Sequence, residues 1–159
     1  MVAGELRSAP LDGSAPPLRL NGPVAPGHGV PSNSFAGFAL AGARVVFTSD
    51  EQVFGHHELY SVPVDGSAAP IQISHASPLV TLGPISFRID PTSTRAVYIA
   101  LGGTRNDLYS TPVDGSGAAV KLNPALPSGR RVADWLFTPD GASVVYPADL
   151  SAGGRYELF

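Results

Sequence analysis

The sequence predicts an all-β chain: a β-propeller of four-stranded antiparallel blades, about three blades per chain. Three observations lead there. A ten-residue segment recurs along the chain, an Asp-Gly turn stands at the same place in each copy, and apolar residues alternate with polar ones beyond that turn.

The recurring segment is Glu5-Leu6-Arg7-Ser8-Ala9-Pro10-Leu11-Asp12-Gly13-Ser14, then Glu58-Leu59-Tyr60-Ser61-Val62-Pro63-Val64-Asp65-Gly66-Ser67, then Asp107-Leu108-Tyr109-Ser110-Thr111-Pro112-Val113-Asp114-Gly115-Ser116. Glu157-Leu158-Phe159 opens a fourth copy. Starts at 5, 58, 107 and 157 give spacings of 53, 49 and 50, the length of a propeller blade with generous loops. After each Asp-Gly comes a short alternation: Leu18-Arg19-Leu20, Ile71-Gln72-Ile73 and Val120-Lys121-Leu122. Strand, Asp-Gly turn and alternating strand make a hairpin, and its register must hold because a one-residue slip would turn the apolar set outward. These strands are c and d. Pro10, Pro63 and Pro112 lack the N–H that a sheet ladder uses, so each is expected at the end of strand c, just before the turn.

Upstream of c lies a second repeated unit, clearest as Trp135-Leu136-Phe137-Thr138-Pro139-Asp140-Gly141-Ala142-Ser143-Val144-Val145-Tyr146. Its relatives run from Gly37 to Phe47 and from Phe87 to Tyr98. A strand, a Pro-Asp-Gly turn and a β-branched strand ending in an aromatic residue make hairpin a–b. The order a, b, c, d is a four-stranded meander. The chain therefore reads as one partial propeller over 1–159: strands c–d in 5–21, a blade in 35–74, a blade in 84–123, and strands a–b with the start of c in 133–159.

The Thr-Pro-Asp-Gly turn at 138–141, the apolar strand after it and the Glu/Asp-Leu-Tyr-Ser-x-Pro-Val-Asp-Gly-Ser element together resemble the WD-like repeats of TolB-type β-propellers. The same repeat style is seen in propeller domains of the prolyl oligopeptidase family. The resemblance runs from Glu5 to Phe159 and implies a binding scaffold with protein partners at the cell envelope or periplasm. Two blades depart from the pattern. Ala41 stands where Asp140 is expected, and Asp90-Pro91-Thr92-Ser93 replaces Pro-Asp-Gly with a glycine-free turn.

Composition narrows the function classes. Charged residues are 14% of the chain against roughly 25% in a typical domain, and ten scattered Lys and Arg with a net charge of −3 predict no nucleic-acid partner. No apolar run approaches the ~20 residues of a membrane span, so no membrane partner is expected. Met1-Val2-Ala3-Gly4-Glu5-Leu6-Arg7 lacks the apolar core of a signal peptide, and without cysteine the compartment stays open.

In a propeller the b–c and d–a connections share the face around the central channel. Here the b–c loops are Thr48 to His57, Ala100 to Asn106 and Pro147 to Tyr156, and the d–a connections run through Asn21 to Ala36, Ser74 to Pro84 and Asn123 to Asp134. Binding candidates on these loops are Asp50, Glu51, His56, His57, Arg105, Asn106, Arg130, Arg131 and Arg155. Adjacent His56 and His57 point to opposite sides of extended backbone, so no metal site is expected there. His28 and His75 read as surface residues. Arg130-Arg131 offers two guanidiniums able to fork onto a carboxylate or phosphate. Asp134 is placed to anchor a strand, and Trp135 matches Phe87 and reads as core.

The sequence holds no Gly-x-Ser-x-Gly elbow, no His-Glu-x-x-His and no phosphate-cradling loop, and no cofactor is expected. The reading is a non-catalytic module that recognises a protein, peptide or glycan on its loop-bearing face. The alternative is a detached propeller part of a prolyl oligopeptidase-like hydrolase. A third reading places an active site on Asp, Glu and His of the b–c loops.

Three blades leave two open sheet edges, and exposed edges must be covered. Self-association as a homodimer is therefore expected, the c–d hairpin of one copy completing the a–b unit of the other to close a six-bladed ring. The competing explanation is a longer propeller that runs on past Phe159.

Overall fold

The computed structural model describes residues 4–30, 37–74, 84–102, 104–150 and 154–159. His75 and parts of the d–a connections and of the last b–c loop lie outside them. Every regular element among the described residues is a strand.

The N-terminal unit is a hairpin of β1 (Arg7–Ser8) and β2 (Leu18–Arg19). The first full blade has β3 (Phe38–Ala41), β4 (Arg44–Ser49), β5 (Glu58–Pro63) and β6 (Ile71–Gln72), paired antiparallel in chain order. The second has β7 (Pro84–Ile89), β8 (Arg95–Gly102), β9 (Arg105–Pro112) and β10 (Val120–Lys121) in the same meander. The last unit holds β11 (Leu136–Phe137) on β12 (Val144–Val145) and β13 (Pro147–Asp149) on β14 (Tyr156–Leu158). Tyr146, between β12 and β13, exchanges both backbone hydrogen bonds with Phe159 at 3.0 Å, so strand b continues through it and β14 is the start of strand c.

Burial on both faces explains the unbroken apolar runs of strand b, Val45-Val46-Phe47 in β4 and Ala96-Val97-Tyr98-Ile99-Ala100 in β8. In β4, Val45 and Phe47 point to the N-terminal hairpin and join Leu6, Leu20, Tyr60 and Val62. Val46 points the other way, with Leu59 and Ile73, onto Phe87, Ala96 and Tyr98 of the second blade. That blade in turn sends Val97, Ile99 and Leu108 onto Trp135, Tyr146 and Ala148 of the last unit. Each interface has an aromatic stack between strands b and c: Phe47 with Tyr60, Tyr98 with Tyr109, and Tyr146 with Phe159, at 5.6, 5.6 and 5.7 Å.

The three Asp-Gly turns share one conformation. Gly13, Gly66 and Gly115 have φ of 68°, 67° and 73°, a left-handed region open to glycine at no steric cost. In each turn the aspartate accepts the N–H of the serine two residues on, at 3.0, 3.0 and 2.9 Å. Each proline before the turn gives its carbonyl to the glycine N–H. Pro63 and Pro112 are the last residues of β5 and β9, where the lost donor costs the ladder least.

The a–b turns differ more than the sequence suggests. Between β3 and β4 the turn is Gly42-Ala43 alone, and Ala41 pairs with Arg44 as a strand residue, in the place of Thr138. That turn is two residues shorter, so Asp140 has no counterpart in it, which corrects the match to Ala41. The glycine-free turn of the second blade puts Ser93 at φ 59°. Asp90 holds it: the carboxylate accepts the backbone N–H groups of Thr92, Thr94 and Arg95 and the Thr92 hydroxyl. Burial raises the Asp90 pKa, but the bonds from Thr92, Arg95 and Thr94 outweigh it, and the carboxyl lies below its ordinary value of 3.8.

Two outcomes follow for this turn. Ser93→Gly removes left-handed strain and should raise stability by up to about 1 kcal/mol in chemical denaturation. Asp90→Ala should cost about 1–3 kcal/mol at neutral pH. Because the folded pKa is depressed, that stabilisation is complete above the ordinary carboxylate value and is lost as pH falls through it toward the folded value, so the gap to wild type closes in acid.

Candidate functional site

The loop-bearing rim is organised by two carboxylates at one blade position. Asp50 and Asp149 stand three residues after Phe47 and Tyr146 in their strands, and both are buried. Asp50 Oδ1 accepts the N–H of Gly29 at 2.6 Å and Oδ2 that of Gly55 at 2.9 Å. Its own carbonyl lies 2.8 Å from Nδ1 of His28. One residue thus ties a d–a connection to a b–c loop. Burial works against its charge, but the Gly55 and Gly29 bonds prevail and hold the carboxyl below its ordinary range.

Asp149 does the same work with a side chain: its Oδ2 accepts from Arg130 at 2.8 Å, and its N–H donates to the Arg131 carbonyl at 3.1 Å. The paired guanidiniums expected from Arg130-Arg131 are therefore not a pair. Arg130 is turned inward, and Arg131 alone is exposed, its Nε donating to the Tyr156 hydroxyl at 3.1 Å. His28, expected as a surface residue, is half-buried against Phe54, with ring centroids 5.4 Å apart.

Arg105, Asn106, Arg130 and Arg131 come together. Asn106 bridges to Arg131 in parallel register, its carbonyl accepts the Val132 N–H at 3.0 Å, and Arg105 donates to the Leu126 carbonyl at 3.0 Å. Beside them opens a cleft of 310 Å³ lined by Ser86, Ile99, Asn106, Arg131, Val132, Ala133 and Tyr156. Arg155 is exposed next to Tyr156.

Asp50, Glu51, His56 and His57 form a second group on the loop after β4. His56 is exposed, whereas His57 is half-buried. Burial holds the Glu51 carboxyl above its ordinary value of 4.5. Burial, then the charges of Glu51 and Glu58, push the Tyr60 hydroxyl up to about 12, out of range for proton transfer near neutrality. Among the described residues no three His, Asp or Glu side chains are grouped to hold a metal ion.

Trp135 is 1% exposed and lies in the core, with the Arg88 guanidinium 4.5 Å from its ring centroid. Asp134 accepts the Trp135 N–H at 2.8 Å and pairs with Arg88 at 2.9 Å. Sequence reasoning passed over Asp149 and Tyr156. The first could be found by its offset from Tyr146, equal to that of Asp50 from Phe47; the second had no signal.

With this geometry in view, the chain matches a solved structure assigned as TolB from Agrobacterium tumefaciens, with a TM-score of 0.53 and 20% identity. The match covers 98% of this chain and 50% of that one, so the chain spans about half its length. The fold is TolB-like. No family model and no curated protein matches the chain by sequence. At this identity the TolB-like likeness concerns the fold alone.

Two substitutions separate the rim's supports. Asp50→Ala should cost about 1–3 kcal/mol, since it strands two backbone donors. Glu51→Gln should act oppositely. The raised pKa of Glu51 means its protonated form is favoured by folding, a contribution complete below 4.5 and lost as pH rises through the folded value. The variant should melt higher than wild type at pH 7 and equal to it below pH 4.5.

Proposed function

We propose that the chain is a non-catalytic propeller module whose rim binds a protein or peptide segment bearing carboxylates. One observation supports this reading above the rest: the buried carboxylates of the rim, Asp50 and Asp149, are taken up by partners within the chain, while Arg131 stays exposed at the cleft. Asp50 and Asp149 are committed to Gly29, Gly55 and Arg130, and Asp134 is paired with Arg88. Arg131 is exposed and lines the cleft, and Arg105 and Arg155, each next in the chain to a lining residue, are exposed as well. A guanidinium steadied by Tyr156 beside a narrow cleft suits a planar carboxylate in an extended strand or loop better than it suits a neutral glycan. The TolB-like fold supports an interaction scaffold, and the resemblance of the repeats to TolB-type propellers favours a location at the cell envelope.

Panning a displayed-peptide library on the purified chain should enrich acidic sequences, and Arg131→Glu should abolish that enrichment. Enrichment that survives Arg131→Glu removes the rim from the function. Turnover of a screened ester or peptide substrate that disappears in His56→Ala and His57→Ala would replace this reading with a catalytic one.

A further inference from the structure

The interblade junctions use one device. At the first, the Gly66 turn sits on Leu18 of the N-terminal hairpin so closely that a Cβ on the glycine would lie 2.5 Å from Leu18 Cδ2. At the second, the Gly115 turn sits on Ile71 of the first full blade in the same way, at 2.5 Å from Cδ1. Arg44, whose Nε is held by Ser61 Oγ at 2.8 Å, acts from that blade on the Asp114 carboxylate of the same turn. An aliphatic residue of strand d thus receives the next unit's Asp-Gly turn at both junctions, joined at the second by an arginine of strand b.

The second full blade is prepared for a third such turn. Val120 follows Leu18 and Ile71 at the strand-d position, and it is 54% exposed. Arg95 is held on Ser110 Oγ at 2.6 Å, as Arg44 is on Ser61. Both line a cleft of 460 Å³, together with Leu122, Val144 and Tyr146. The a–b turn at Gly141 borders this cleft, but among the described residues no Asp-Gly turn of a c–d hairpin covers it. The chain also has one such turn with nothing beneath it: Asp12-Gly13-Ser14, where no atom lies within 4 Å of a Cβ placed on Gly13.

The unit faces match as well. Phe38 holds the place of Phe87 and Trp135, which the preceding blade covers to 5% and 1% exposure, yet Phe38 is 63% and Leu40 67% exposed. At the other end Leu136 is 69% exposed, on the face that in each earlier blade packs against that aromatic position.

We propose that the occupant is a second copy of this chain. Its Glu5–Leu20 hairpin enters the 460 Å³ cleft with Gly13 over Val120 and Asp12 beside Arg95, while its Phe38 and Leu40 cover Leu136. The exchange is reciprocal about a two-fold axis. One strand place is claimed twice, by Tyr156–Phe159 and by the incoming Arg7–Ser8. The former yields: Leu6 is buried, with its N–H on Asn21 Oδ1 at 2.9 Å, whereas every residue from Tyr156 to Phe159 is exposed. The inference does not rest on the rim reading, although in the dimer Arg131 gives up the Tyr156 hydroxyl.

Sedimentation equilibrium tests it directly. The 159-residue chain should run at twice 16.4 kDa. Val120→Asp should raise the dimer Kd by about tenfold or more without changing the circular dichroism, since Val120 is exposed, and Val53→Asp, at an equally exposed site elsewhere, should not. Removing Glu157–Phe159 should tighten the dimer, and Arg131→Glu should leave the mass unchanged. A single-chain mass up to the order of 100 μM, an open series of masses, or a dimer indifferent to Val120→Asp overturns the proposal.

Discussion

The structure depends on the burial of both faces of narrow sheets. A blade of four strands, the outermost two residues long, encloses no core of its own. Val45 and Phe47 need one neighbour, and Val46 needs another. At roughly 1.5–3 kcal/mol for each fully buried large apolar side chain, these interfaces dominate what holds the sheets, and the hydrogen-bonded ladders follow from them. The arrangement is one-dimensional: among the described residues each core cluster joins one unit to the next, as in other repeat architectures.

The Asp-Gly turn sets how near two units come. Its glycine meets the neighbouring strand at a distance no Cβ would tolerate, and its positive φ excludes side chains a second time. The proline before it and the serine after it satisfy the polar groups of the turn, so the tip presents little but glycine to the aliphatic residue beneath. The a–b turns approach their neighbours less closely, a Cβ on Gly141 lying 3.3 Å from Pro91 and Thr92 and one on Gly42 meeting nothing within 4 Å, and they vary accordingly. One is a two-residue turn, one places Ser93 in a left-handed conformation under the hold of Asp90, and one uses Gly141.

What could be read in the sequence was local and repeated. The Asp-Gly turns, the alternation Ile71-Gln72-Ile73 and the core position of Trp135 declare themselves through neighbours in the chain and through copies of the same pattern. What could not be read depends on distant partners. Asp50 looks like a free loop carboxylate until Gly29, twenty-one residues upstream, is seen donating to it. Arg130 looks like a twin of Arg131 until Asp149 turns one of them inward. Phe38 stands in the place of Phe87 and Trp135, yet it is exposed where they are buried, a difference that nothing next to it in the chain announces. The long-range pairing of loops, unlike the repeat, leaves no periodic trace.

The anchoring of the rim has a thermodynamic side. Loops pinned by Asp50 and by the Arg130–Asp149 pair have already surrendered much of their conformational freedom during folding. Any molecule that met Gly29, Gly55 or Arg130 would find groups already held in place, so less of the attraction would be spent on ordering them.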